Sequence, residues 1–522
     1  LARFVLIPQE FAMLVRRPQA SLVLACVAAA MACVPLLCAR LPPLYDYPAH
    51  LARMRITADL LTQRHFAALY ALHPAVVPNL ATDMVVVPLV LAGLDVQLAG
   101  RLCLAALILG IGVGVVRLNR ALLGGASSLP VLAFGLVYAE PFQFGFLNYV
   151  AGIAVLLNAL AFWVPARGAV RLAAIGAVAC VVLFFCHLIA CVIFIAAVLT
   201  LEAFGATRAR WRGMPPWGPV RRGAALLPGL LLTVALYTQA PLADTGAHDS
   251  FIREFLKHPP SKRERLDMLI NAAHGYWPWL DLAGVLVLLL VGAVLWRRGR
   301  VRLGWAMLPV VAGMMVVYAV FPDHWAGTSY IADRLPFLIA LLALASFDVA
   351  PVTRRGRMAF GALILALVAV RSASAALVWH AADRVYAPMI AALSALPDGT
   401  KIYTATIYRV TTKSELSQPF THIAAVAALH HVVFDAGVFS DPSQNVVVQT
   451  PAYRAIGRLN PAPFRSDLGR MPKGDDVIFA PALLTAYDYV VVVHPEHYPA
   501  ALPAQLVKVA AAGPAALYRI DH

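Results

Sequence analysis

Charge is what this 522-residue chain has least of: Asp, Glu, Lys and Arg together make up 13% of it. A soluble domain carries roughly twice that share, so a water-exposed globule of this length is excluded. Cysteine is scarce as well. The seven, Cys26, Cys33, Cys38, Cys103, Cys180, Cys186 and Cys191, all lie in or beside apolar runs. They form no CxxC pair and no Cys/His zinc spacing, which excludes a disulfide framework and a metal knuckle. Small-residue cleavage signals are missing after the first apolar run, Ser21 to Ala39, so it reads as a retained helix rather than a signal peptide. No internal repeat marks an inverted-repeat transporter, and the apolar runs hold too few charges to line a transport path.

What is present is apolar surface. Hydrophobic residues account for 61% of the chain and mean hydropathy is +0.75. Runs near the spanning length of about 20 residues recur at 20–39, 97–116, 129–145, 148–164, 171–186, 188–204, 224–240, 282–296, 305–321, 335–350 and 358–379. They predict a polytopic α-helical membrane protein of about 11 spans, covering 1–379. The net charge is +15, yet the eleven basic and eleven acidic residues from His380 onward cancel. The excess therefore sits in short clusters between apolar runs: Arg16/Arg17, Arg117/Arg120, Arg167/Arg171, Arg208–Arg222, Arg297–Arg302 and Arg354–Arg357. That is a positive-inside pattern and not a nucleic-acid surface. Placing every cluster in the cytoplasm puts the N-terminus inside and residues 380–522 outside.

Beyond Trp379, short β-like runs such as Lys401–Ile407 and Tyr489–Val493 alternate with helical stretches, as in a small α/β domain. Residues 79–94 are apolar enough to cross, but an extra crossing would move Arg117 and Arg120 outside. Asp83 and Pro88 suit an interfacial helix there.

This topology gathers the polar variety in outer loops, where chemistry has its residues. The first, 40–78, contains Leu44-Tyr45-Asp46-Tyr47-Pro48-Ala49-His50-Leu51-Ala52-Arg53, and its second half has the spacing of an amphipathic helix on a membrane. Pro48 sets a first helical turn, placing Asp46 just before it. Asp46 is then either a capping residue or a carboxylate at the water–lipid boundary, with His50 and Arg53 a turn further on. A carboxylate there can take a proton from an attacking hydroxyl while Arg53 holds a phosphate. Other candidates are Glu140 in the second loop, Tyr149 just after it, His187 between two apolar runs, Asp323 and His324 in the fourth loop, and Arg334 at its end. His430 and His431 read as surface residues.

This layout, with the DYPAHLAR stretch and more weakly GFLNY at 145–149 and ADRLP at 332–336, resembles the GT-C superfamily of integral membrane glycosyltransferases. The resemblance implies transfer of a sugar from a polyprenyl-phosphate donor to a glycan, lipid or protein acceptor at the outer face of a bacterial-type cytoplasmic membrane, with inversion at the anomeric carbon. It makes Asp46 the catalytic base and Arg53 and Arg334 the contacts to the donor phosphate. His50, Glu140, Tyr149, His187, Asp323 and His324 become substrate-binding candidates. Many members carry two adjacent acids in the first loop; here Tyr47 follows a lone Asp46, and Glu140 is the candidate second carboxylate. A divalent metal stays open, as do a polysaccharide polymerase or O-antigen-ligase-like activity, a lipid transporter and a non-catalytic envelope-assembly scaffold.

Overall fold

The computed structural model describes residues 18–125, 127–241, 261–270, 272, 274–321, 331–349, 353–408, 419–461, 463–465 and 477–522. Asp323 and His324 lie outside them, as do residues 242–260. Among the described residues, six helices are long and apolar enough to cross a membrane: Val96–Leu123, Ala169–Cys186, Leu188–Trp211, the pair of segments Trp217–Gln239, Pro278–Arg297 and Arg354–Leu393. Shorter apolar helices at Ser21–Leu37, Leu147–Trp163 and Leu308–Val320 pack among them. Many apolar side chains point outward; Leu282, Leu286, Leu289 and Leu290 on Pro278–Arg297 are all exposed. Such a surface needs lipid around it. The chain is a multi-pass membrane protein.

The expected crossing at 129–145 is not a continuous helix. The segment breaks into the turns Leu129–Leu132, Ala133–Leu136 and Glu140–Gln143. Pro130 and Pro141 each stand at a helix start, where a missing N–H costs nothing. The side chain of Arg371, from Arg354–Leu393, donates to the Gly135 carbonyl at 2.8 Å. Arg371 also pairs with Asp281 of Pro278–Arg297, a buried ion pair that fixes two long helices against each other.

Arg354–Leu393 has 40 residues, about 60 Å of helix, twice the thickness of a bilayer's hydrocarbon core. It passes residue 379 without a break. Its far end packs on a mixed sheet whose strands run in the order Phe434–Asp435, Lys401–Tyr408, Tyr489–Val493, Ala515–Ile520 and Leu506–Ala512, with Phe464–Arg465 also beside Lys401–Tyr408. Lys401–Tyr408 lies parallel to Tyr489–Val493, with Ile402 opposite Tyr489. Val490 to Val493 are buried in succession, as expected of a strand covered on both faces.

The 40–78 loop is tied to the long helix and to the C-terminal region. Arg40 donates its backbone N–H to Asp383 of the long helix, 2.7 Å. Tyr70–Leu72 pairs antiparallel with Val447–Gln449. Between them, Tyr47–Leu61 forms the expected helix, but it does not lie along a lipid surface. It is buried over most of its length and packs on the segment Pro419–Leu429. Its polar side chains explain why: Arg55 donates to the carbonyls of Ala428 and His431, and Arg53 is buried with partners. Ala81–Leu91 is an 11-residue helix of about 16 Å, too short to span the hydrocarbon core, and Asp83 on it faces protein.

Candidate active site

Asp46 sits where the 40–78 loop meets the segment after Glu140–Gln143. The backbone N–H groups of Tyr45 and Asp46 donate to the carbonyls of Gln143 and Phe144, each at 3.0 Å. The two loops can touch this closely because residue 145 is glycine. Its φ of +74° lies in the left-handed region, and a Cβ there would stand 3.0 Å from the Asp46 nitrogen. The GFLNY stretch therefore shapes the Asp46 loop from beneath. Asn148 adds a second tie: its amide donates to the Asn79 carbonyl, and its oxygen accepts from the N–H and hydroxyl of Thr82.

The capping alternative for Asp46 does not hold. The backbone arrives in helical geometry, φ −85° and ψ −9°, and the side chain makes no cap hydrogen bond. An N-cap requires non-helical backbone, so that the side chain can reach the first free N–H groups. The carboxylate instead faces inward, 16% exposed, with Oδ1 3.5 Å from Nε2 of His422. Burial pushes its pKa up to about 8 against the opposing pull of Arg334 and Arg53. A carboxyl group in a pocket flanked by cations is the kind of perturbed group that marks a functional site.

Arg53 is engaged by protein groups. Its Nε donates to Asp83 Oδ1 at 2.9 Å and Nη2 to Oδ2 at 2.6 Å, a bidentate pair in which both side chains are 3% exposed. Nη1 donates to Asn445 Oδ1 at 2.6 Å. A guanidinium with all three nitrogens engaged by the protein ties the first loop, Ala81–Leu91 and the C-terminal region together, while its charge still reaches Asp46. Asp83 and Asn445 were not legible as partners of Arg53, because spacings of 30 and 392 residues carry no sequence signal.

Arg334 stands on the other side. It opens Ile331–Ser346, and its guanidinium lies over the Phe146 ring at 4.2 Å, with Tyr149 at 5.7 Å. Nη1 approaches Nε2 of His187 at 2.8 Å; since arginine only donates, the imidazole accepts. Tyr149 donates to the Arg334 carbonyl at 2.8 Å. His187 and Tyr149 thus serve to orient Arg334. His50 is buried against Phe439, ring centroids 5.0 Å apart, and burial together with Arg53 holds its pKa well below the usual range. Glu140 is half-buried at the start of the short turn that carries the second loop. Asp46, His50, Arg53, Tyr149, His187 and Arg334 therefore lie in one connected region, with His422 an addition from the C-terminal region. His431 is half-buried, bonded to the Ser394 carbonyl at 2.9 Å.

Asp46, His50 and Glu140 do not converge as a metal-ligand group. Among the described residues, the one cluster of His, Cys, Asp and Glu with ligand atoms within 4.8 Å of one another is His494, Glu496 and His497, in the turn after Tyr489–Val493.

No protein-family description matches the chain, and no curated protein sequence does. Solved structures match it along nearly the whole length. ArnT from Cupriavidus metallidurans in the apo state has 14% sequence identity and a TM-score of 0.51, covering 96% of this chain and 98% of that one. The same protein bound to undecaprenyl phosphate gives 15% identity and a TM-score of 0.48 over the same shares. At such identity the likeness is one of architecture: the chain has an ArnT-like fold.

Proposed function

We propose that the protein transfers a sugar from a polyprenyl-phosphate donor to an acceptor hydroxyl at the outer face of a cytoplasmic membrane, with Asp46 as general base. The observation that carries this reading is the Asp46 carboxylate itself: half-buried, making no cap bond, and acted on by the charges of both Arg53 and Arg334. The GT-C-type fold supports the reaction class. In this account Arg334, steadied by His187 and Phe146, contacts the donor phosphate, and Arg53 positions the loop.

The acceptor oxygen attacks the anomeric carbon as the bond from that carbon to the phosphate oxygen breaks. The polyprenyl phosphate leaves with the bonding pair, and the hydroxyl proton passes to Asp46. Attack opposite the leaving group inverts the anomeric carbon. With a pKa about 8, Asp46 is mostly protonated in the empty site at neutral pH, and the fraction ionised, which can act as base, grows as pH rises. No step is assigned to a metal.

In this reading residues 1–379 form the membrane body, with 380–522 and the 40–78 loop together outside. The long last helix is shared between body and outer domain.

The donor contact is tested by polyprenyl-phosphate binding to purified protein. Loss of a charge-assisted bond costs roughly 1.5–3 kcal/mol, so Arg334→Ala weakens binding about tenfold to a hundredfold, while the melting curve shows the protein folded. Unchanged affinity in a folded Arg334→Ala protein removes Arg334 from the donor site. No binding by the unaltered protein favours an envelope scaffold instead.

A further inference from the structure

His422 is a residue of the C-terminal region that reaches the first outer loop. It lies in Pro419–Leu429, and the chain kinks at this residue, whose φ of −112° and ψ of 15° interrupt the helical run. The kink turns the imidazole toward Asp46, leaving Nε2 3.5 Å from Oδ1. Three groups set the plane of the ring. Tyr45 meets it edge-on at 5.4 Å, and Phe439 packs at 5.2 Å. On the Nδ1 side lies the turn Asp435–Gly437, where a Cβ on Gly437 would stand 3.6 Å from Nδ1 and 3.4 Å from Asp435 Oδ1. The backbone of Tyr47–Leu61 is held to the same segment by Arg55. The ring is therefore held in place by contacts from three sides.

We propose that His422 is a positioning residue for Asp46, with its neutral imidazole donating Nε2–H to the ionised carboxylate and fixing which oxygen faces the substrate. The proposal rests on the reading of Asp46 as a base. A separation of 3.5 Å in the empty site is loose for this bond, and such contacts shorten when substrate arrives. The charged groups around the pair are Arg53 and His50 on the helix of Asp46, Arg334 across the site, and Asp435 behind the imidazole. Burial lowers the pKa of His422 to about 4, so it is neutral throughout the range in which Asp46 titrates. Of the two partners only Asp46 titrates near 8, and Asp435 behind the ring, raised to about 7 by burial, titrates close to it. A neutral His422 stabilises the ionised carboxyl more than the protonated one, because a bond to a charged acceptor is about twice as strong.

The structure thereby assigns the C-terminal region a part in the chemistry as well as in the fold. Replacing His422 with Phe keeps the bulk and removes the donor, so the Asp46 pKa rises by about one unit. Turnover at pH 7 falls about tenfold, returns toward the wild-type rate above pH 9, and donor KM stays unchanged. His422→Gln, whose amide can donate, keeps the wild-type pH profile.

The decisive measurement needs no substrate. The carboxyl C=O stretch of protonated Asp46 is isolated by infrared difference between wild type and Asp46→Asn, then titrated with and without His422→Phe. A midpoint displaced upward supports the proposal; an unmoved midpoint overturns it. If the Phe variant does not fold, His422→Ala with imidazole supplied in the buffer replaces it, and failure of imidazole to restore the midpoint counts against the proposal. An active Asp46→Asn enzyme would refute the base assignment without touching the infrared result, so the two failures are distinguishable.

Discussion

Arg53 gives the sharpest separation between a structural and a ligand-binding role. Both partners of the Arg53–Asp83 pair are 3% exposed, and the bidentate contact is 2.6–2.9 Å long. An exposed ion pair contributes at most about 1 kcal/mol. Removing one partner of a buried pair costs about 3–5 kcal/mol, because the other charge is left without compensation. Arg53→Ala also releases Asn445, for about 1 kcal/mol more. The variant is therefore expected to melt at least several degrees below wild type in detergent, followed by differential scanning fluorimetry. Replacing both partners, Arg53→Met with Asp83→Leu, removes the orphaned charge and recovers most of the loss. A phosphate contact behaves in the opposite way: Arg53→Ala would keep the wild-type melting curve and lose donor affinity. A stable Arg53→Ala protein with weakened donor binding would refute the positioning assignment.

Two further expectations follow from the same geometry. Because the folded-state pKa of Asp46 is raised to about 8, the folded protein holds that proton more tightly than the unfolded chain does. The resulting stabilisation is full below the ordinary carboxyl range and is lost as pH rises through 8, by an amount of order 5 kcal/mol at most. Asp46→Asn, neutral at every pH, should match wild type near pH 4 and out-melt it increasingly toward pH 9; parallel curves would contradict the burial argument. For the topology, single cysteines at Gln63 and Ala504, both exposed, in a background without native cysteines should both react with an impermeant thiol reagent in intact cells. Labelling at one position only would separate the first loop from the C-terminal region and dismantle the site.

The membrane architecture is written plainly in the sequence, because apolar composition and run length are properties of local segments. The exceptions have local causes that only packing reveals. Residues 129–145 have the length and hydropathy of a span, yet with prolines at two turn starts and Arg371 bonded at Gly135 the segment is broken into short helical turns. Tyr47–Leu61 has the pattern of a surface helix, but its charges are matched by Asp83, Asn445 and the carbonyls near Ala428, so it is buried. The site shows the same division. Asp46, Arg334, Tyr149 and His187 were legible as polar residues at loop ends. The sequence left Asp46 between cap and base; the structure shows no cap bond, and its contacts with Phe144 and His422 come from remote parts of the chain. His422 carried no signal: a single histidine in an apolar stretch looks like any buried histidine until the fold brings it to a carboxylate.

The central claim is that Asp46 takes the acceptor proton, and substitution by Asn tests it most directly. Asn preserves the size of the side chain, and the wild-type residue makes no cap bond that could be lost. Purified wild-type and Asp46→Asn proteins are compared for sugar transfer from a panel of polyprenyl-phosphate sugars, with a melting curve for each. The account predicts a folded Asn variant that binds donor and turns over about a hundredfold more slowly or worse, the usual scale for loss of a positioned proton acceptor. A folded Asn variant with wild-type turnover would contradict it.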